Sequence, residues 1–170
     1  MSTHTSPQSK ATKTNVQDGF SPEDVKNLSS VLNAVLADVF SLYLKTKNFH
    51  WHMSGPHFRD YHLLLDEQAK QIFDMTDDIA ERARKLGGAT LRSIHDIVQH
   101  QRLKDNNGDQ VDAHRMLLEL RADNLQLTGY LRAAHSLCER HNDVATASLL
   151  ENWIDQTERR TWFLSETINS

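Results

Sequence analysis

The stretch that decides the fold runs from Phe49 to Glu81 and reads F-H-W-H-M-S-G-P-H-F-R-D-Y-H-L-L-L-D-E-Q-A-K-Q-I-F-D-M-T-D-D-I-A-E. At Gly55-Pro56 a helical pattern breaks and then resumes. Proline lacks the amide N–H and disfavours helix at the residue before it, so one helix must end here and another begin. His50 stands six residues before Pro56 and His62 six after it. If the two helices fold back antiparallel, both histidines come to the same level of a hairpin. That mirror placement is the first hint of a metal site.

The second helix carries more ligand-type residues. His62 and Asp66 are four apart, as are Asp77 and Glu81, so each pair shares a helix face. Asp66 and Asp77 are eleven apart, three turns to within about 20°, which puts all four side chains in one stripe roughly 100° wide. Asp74 and Asp78 compete with Asp77, but only Asp77 stands four before Glu81 and in line with Asp66. His52 and His57 lack such partners and read as peripheral. Along the axis Asp66 and Asp77 are about 16 Å apart. Carboxylate oxygens bind metal at roughly 2 Å, so these two groups cannot share an ion within one helix. Either there are two half-sites, or one half meets the complementary half of a neighbouring subunit.

Outward from this stretch the pattern is helical throughout. Ser21-Pro22-Glu23-Asp24 is a strong helix start, with Ser at the N-cap, Pro at the first position and acids in the first turn. From it Val25, Leu28, Leu32, Val35, Val39, Leu42 and Thr46 recur at threes and fours, predicting a helix over about 22–52. A second, over about 57–86 with Leu65, Ile72, Ile79, Ala83 and Leu86, stops at Gly87-Gly88. Residues 87–108 form a long connection containing a short amphipathic helix near 93–98 and a turn cluster at 105–108. A third long helix is expected over about 109–140, through Val111, Leu117, Leu120, Leu127, Leu131 and Leu137. A last one runs to about 166 on Val144, Ala147, Leu150, Ile154, Thr161 and Leu164. No strand is credible. Short links within each helix pair and one long central crossover are the ferritin-like way to wire an all-α four-helix bundle. The ordinary ferritin site needs Glu-x-x-His motifs inside the bundle, and no histidine here has a Glu three residues before it. That disfavours a bundle-centred di-iron site.

The 170 residues amount to one domain, expected as an N-terminal tail over 1–20 and a bundle over 21–170. Residues 1–19 are rich in Ser, Thr, Gln and Asn and read as disordered. No apolar run reaches the ~18 residues of a membrane span and no signal-peptide pattern opens the chain, so a cytoplasmic protein is expected. Cys138 is the one cysteine, which suits a reducing compartment, and it reads as a buried structural thiol. Imidazole plus carboxylate without thiolate suits iron(II) better than a closed zinc site, with zinc a competitor for the same ligands.

The segments N-F-H-W-H-M-S-G-P-H-F, H-L-L-L-D-E and D-D-I-A-E-R-A-R-K-L-G-G closely resemble the Dps-type mini-ferritins, the DNA-binding proteins from starved cells. The resemblance covers nearly everything after residue 20, and W-F-L at Trp162 to Leu164 fits it too. It implies ferroxidase ligands His50, His62 and Asp66 from one subunit with Asp77 and Glu81 from its two-fold partner. It also implies oxidation of iron(II), preferentially by hydrogen peroxide, and storage of iron(III) mineral in a hollow dodecamer in a bacterial cytoplasm. Trp51 would line the site or simply pack at the interface, and Glu139 and Asp143 are candidates for an iron pore. The competing reading is a DNA-binding, nucleoid-associated protein. Net charge is −4 per chain, so twelve copies would carry about −48, which opposes contact with phosphates. Only Lys10 and Lys13 of the tail offer a way in, so any DNA binding should be weak.

Overall fold

The computed structural model describes residues 19–169. The expected disordered tail therefore lies, up to residue 18, outside the described residues. Helix α1 (Pro22–His52) starts with the capping box the sequence suggests: the Ser21 hydroxyl accepts from Asp24 N–H and Asp24 accepts from Ser21 N–H. Met53 ends it and Gly55-Pro56 makes the turn into α2 (Phe58–Lys85). Gly87, at φ 90°, ends α2 with paired bonds, Gly88 N–H to Ala83 O and Gly87 N–H to Arg84 O. Gly88 is needed for a different reason, since a Cβ there would sit 1.8 Å from Ser29 Oγ. The crossover carries α3 (Ile94–His100), and α4 (Ala113–Arg140) and α5 (Val144–Ile168) follow.

Among the described residues there is no strand, and the four long helices form the ferritin-like bundle. Contacts between Lys47 and Asp66, Tyr43 and Phe73, and Ser29 and Gly88 run α1 antiparallel to α2. Asn124 with Arg160 and Arg132 with Glu158 do the same for α4 and α5. The core is aliphatic, with Leu28, Leu32, Val35, Val39, Leu42, Leu65, Ile72, Leu117, Leu120, Leu127 and Leu150 fully buried.

By length and composition α1 does qualify as a membrane span, with mean hydropathy 1.3 over an 18-residue window, contrary to the sequence expectation. Its apolar face is nonetheless the bundle core, because the same leucines and valines are packed against α2 and α4. Val144 also departs from expectation. It is 78 % exposed because it opens α5 immediately after the N-cap Asp143, before the helix reaches the core. Helix α4 begins at Ala113, four residues later than expected, because Asp112 is the residue that caps it. Cys138 is buried as expected, and burial pushes its thiol up to about 12.

The crossover is pinned by Asp38 of α1, which is 0 % exposed. Its carboxylate accepts from the backbone N–H groups of Arg102 and Leu103 at 2.6 and 3.0 Å and from the Arg102 guanidinium at 2.6 and 2.8 Å. The guanidinium also stacks 3.7 Å from the Tyr130 ring centroid. An open groove of about 750 Å3 remains between α1 and the crossover, with Leu44, Trp51, Ile94 and Val98 among its exposed apolar walls.

Candidate metal centre

The Gly55-Pro56 turn sets the geometry. His50 Nδ1 lies 2.8 Å from the His62 carbonyl, and His62 Nδ1 lies 2.9 Å from the His50 carbonyl. A carbonyl can only accept, so both Nδ1 atoms carry the proton and both Nε2 atoms present a lone pair. The rings stack with centroids 3.7 Å apart, and the Phe58 ring lies 5.0 Å from that of His62. Each helix end thus fixes the tautomer and orientation of the other's imidazole, the arrangement that metal-ligating histidines need.

Asp66, one turn beyond His62, places Oδ1 4.0 Å from His50 Nε2. The same Oδ1 accepts from Lys47 Nζ at 2.8 Å, and Lys70 approaches Oδ2 at 3.5 Å. The Lys47 hydrogen bond, with the charges of Lys47 and Lys70, holds the Asp66 carboxyl below the usual carboxylate range. Lys47 was not singled out from the sequence. Counted outward from the turn it faces Asp66 much as His50 faces His62, a signal that the mirror arithmetic contained.

Asp77 and Glu81 do not join this group. Both are exposed, about three turns further along α2, and Glu81 is tied to Lys85 at 2.9 Å. Among the described residues, no group of three or more His, Cys, Asp or Glu side chains within the chain is arranged to hold a metal ion. The chain sets His50 beside His62 and, at 4.0 Å, beside Asp66, short of a three-ligand site, and leaves Asp77 and Glu81 exposed further along α2. Asp74 and Asp78 are exposed as well. His52 turns back to its own helix, Nδ1 to Asn48 O at 2.8 Å, and His57 packs near Tyr61 at the start of α2. Trp51 is 58 % exposed and faces the α1–crossover groove. Of the two pore candidates, Asp143 is corrected: it is 2 % exposed and bound to Arg82 at 2.7 Å, which leaves no carboxylate for a pore. Glu139 is exposed beside His135.

The family model of the ferritin-like domain matches residues 30–170. The chain is 30% identical over 142 residues to DNA protection during starvation protein 1 of Deinococcus radiodurans, covering 84% of this chain and 69% of that one. It belongs to the Dps family of ferritin-like proteins. Another relative is an uncharacterised low-temperature-induced protein of a Nostoc strain, 34% identical over 151 residues and covering 88% of this chain and 84% of that one. The Dps of Thermosynechococcus elongatus superposes with a TM-score of 0.83 at 27% identity, over 86% of this chain and 92% of that one. In this Dps chain the histidine pair lies beside the Gly55-Pro56 turn that closes the α1–α2 hairpin, with Asp66 one helical turn further along α2.

Proposed function

We propose that this protein is a ferroxidase and iron-storage mini-ferritin whose site is completed by a second copy of the chain. His50, His62 and Asp66 of one subunit would meet Asp77 and Glu81 of the partner subunit. Asp66 and Glu81 would hold the first iron(II), with His50, His62 and Asp77 completing the site. The observation that carries this reading is the reciprocal lock of His50 and His62 beside Asp66, with two outward carboxylates on the same helix that cannot reach it in one chain.

Iron(II) is the substrate and iron(III) mineral the cargo. With hydrogen peroxide as oxidant, two iron(II) ions each give one electron. The O–O bond breaks, two protons are taken up, and two waters form. No hydroxyl radical is released in such a two-electron step, which protects DNA and the rest of the cell chemically. A hollow dodecamer would keep the mineral in solution. The names of relatives such as the Deinococcus radiodurans protein also raise direct DNA contact. Here that would rest on Lys10 and Lys13, which lie outside the described residues, and would be weak, salt-sensitive and abolished by deleting residues 1–19.

The test is anaerobic loading with iron(II) followed by measured additions of peroxide and then of oxygen. Turnover much faster with peroxide than with oxygen is expected. Equal rates, or none above buffer, would refute the proposal.

A further inference from the structure

The ligand stripe of α2 is symmetric about its own middle. His62 and Glu81 stand equally far from the point between Gln71 and Ile72, and so do Asp66 and Asp77. A third pair, Lys70 and Phe73, flanks that point and falls in the same stripe, roughly 100° wide. The proposed iron chemistry uses neither residue. Phe73 is 48 % exposed, yet it is braced by Tyr43 of α1, with ring centroids 5.0 Å apart. The Lys70 side chain is 76 % exposed, and its ammonium lies 3.5 Å from Asp66. The two halves of the stripe also differ in charge. From His62 to Lys70 it holds one carboxylate, one ammonium and an imidazole, and Lys47 of α1 adds a second ammonium at Asp66. From Phe73 to Glu81 it holds two carboxylates and no cation.

We propose that Lys70 and Phe73 form the centre of a two-fold contact between the α2 helices of two copies of this chain, running antiparallel. This placement rests on the shared iron site proposed above and adds a contact outside it. A two-fold contact makes every pairing twice with the roles exchanged. An antiparallel one therefore needs a face whose positions mirror about one point and whose halves complement each other in charge. The stripe has both properties. Lys70 lays its methylenes and ammonium on the ring of the partner's Phe73, a cation–π contact made twice across the axis. One turn further out Asp66 faces the partner's Asp77, and Lys47 and Lys70 offset the two carboxylates. A parallel pair would instead set Lys70 on Lys70 and stack like carboxylates at Asp77 and Glu81.

Cross-linking of the iron-free protein tests the register. In this arrangement Leu63 faces the partner's Ala80, whereas each is about 25 Å along the axis from its own copy. Leu63→Cys chains co-assembled with Ala80→Cys chains should give dimers linked by a short bis-maleimide, and neither chain alone should. Cys138 is buried and does not interfere. In sedimentation, Phe73→Ala should raise the concentration at which subunits part by roughly ten-fold or more, with helix content unchanged. A mixture that does not link, single chains that link as well as the mixture, or an unchanged dissociation would each overturn the proposal. If Phe73→Ala fails to fold, the cross-link still decides. Linked dimers without ferroxidase turnover would refute the iron reading and leave this contact standing. Turnover with no link in the mixture would overturn the contact alone.

Discussion

Asp66 is the residue on which the proposed chemistry turns, and in the isolated chain Lys47 already holds it at 2.8 Å. An incoming iron(II) ion would have to displace that ammonium group. The pair is partly exposed and solvent weakens it, so Lys47→Met should tighten iron(II) binding only modestly, by roughly two- to five-fold, in an anaerobic titration. Weaker binding would mean that Lys47 orients Asp66 instead of competing for it. At the other end of α1, Asp24 is held below its usual range chiefly by its hydrogen bonds with Ser21, aided by His141. Its folded pKa therefore lies below the unfolded value of 3.8. The stabilisation is fully present above that unfolded value and is lost as pH falls through the folded one. Thermal unfolding should place wild type above Asp24→Asn at pH 6, with the gap closing as pH falls below 3.8. A gap independent of pH would show that the cap does not depend on the charge.

At the scale of helices, α2 and α5 are joined by Arg82, which donates to Thr146 Oγ1 at 2.6 Å and pairs with Asp143 at 2.7 Å. Both ends of that pair are buried, and Asp143 also accepts from Thr146 N–H as the α5 cap. Removing one partner strands a buried charge, so Asp143→Ala should cost about 3–5 kcal/mol in chemical unfolding. A loss below about 1 kcal/mol, the scale of a helix cap alone, would show that the pair contributes little. The long helices were legible because leucines and valines recur at helical spacing and because Ser21-Pro22 and Gly87-Gly88 punctuate them. The buried ions Asp38, Arg82, Asp143 and Arg160 were not. Arg102 is 64 residues from Asp38, Asp143 is 61 from Arg82 and Asn124 is 36 from Arg160, and periodicity says nothing about which polar groups meet across a bundle.

At the scale of the molecule, the ferritin-like wiring followed from one long crossover between two short-linked helix pairs. The facing of His50 and His62 followed from their equal distances to Pro56. Lys47 escaped notice because a lysine three residues before a histidine looks like ordinary solvated surface until the hairpin is folded. The second half of the proposed site is a question of assembly, and one mixing measurement addresses it. One variant carries His62→Ala and Asp66→Ala, the other Asp77→Ala and Glu81→Ala, and each alone should be nearly inactive. Unfolded together and reassembled at random, half of the two-fold pairs would be mixed, and each mixed pair would regain one of its two sites. About a quarter of wild-type ferroxidase activity should return in shells of normal size. Mixed shells of normal size that remain inactive would contradict a site shared between subunits.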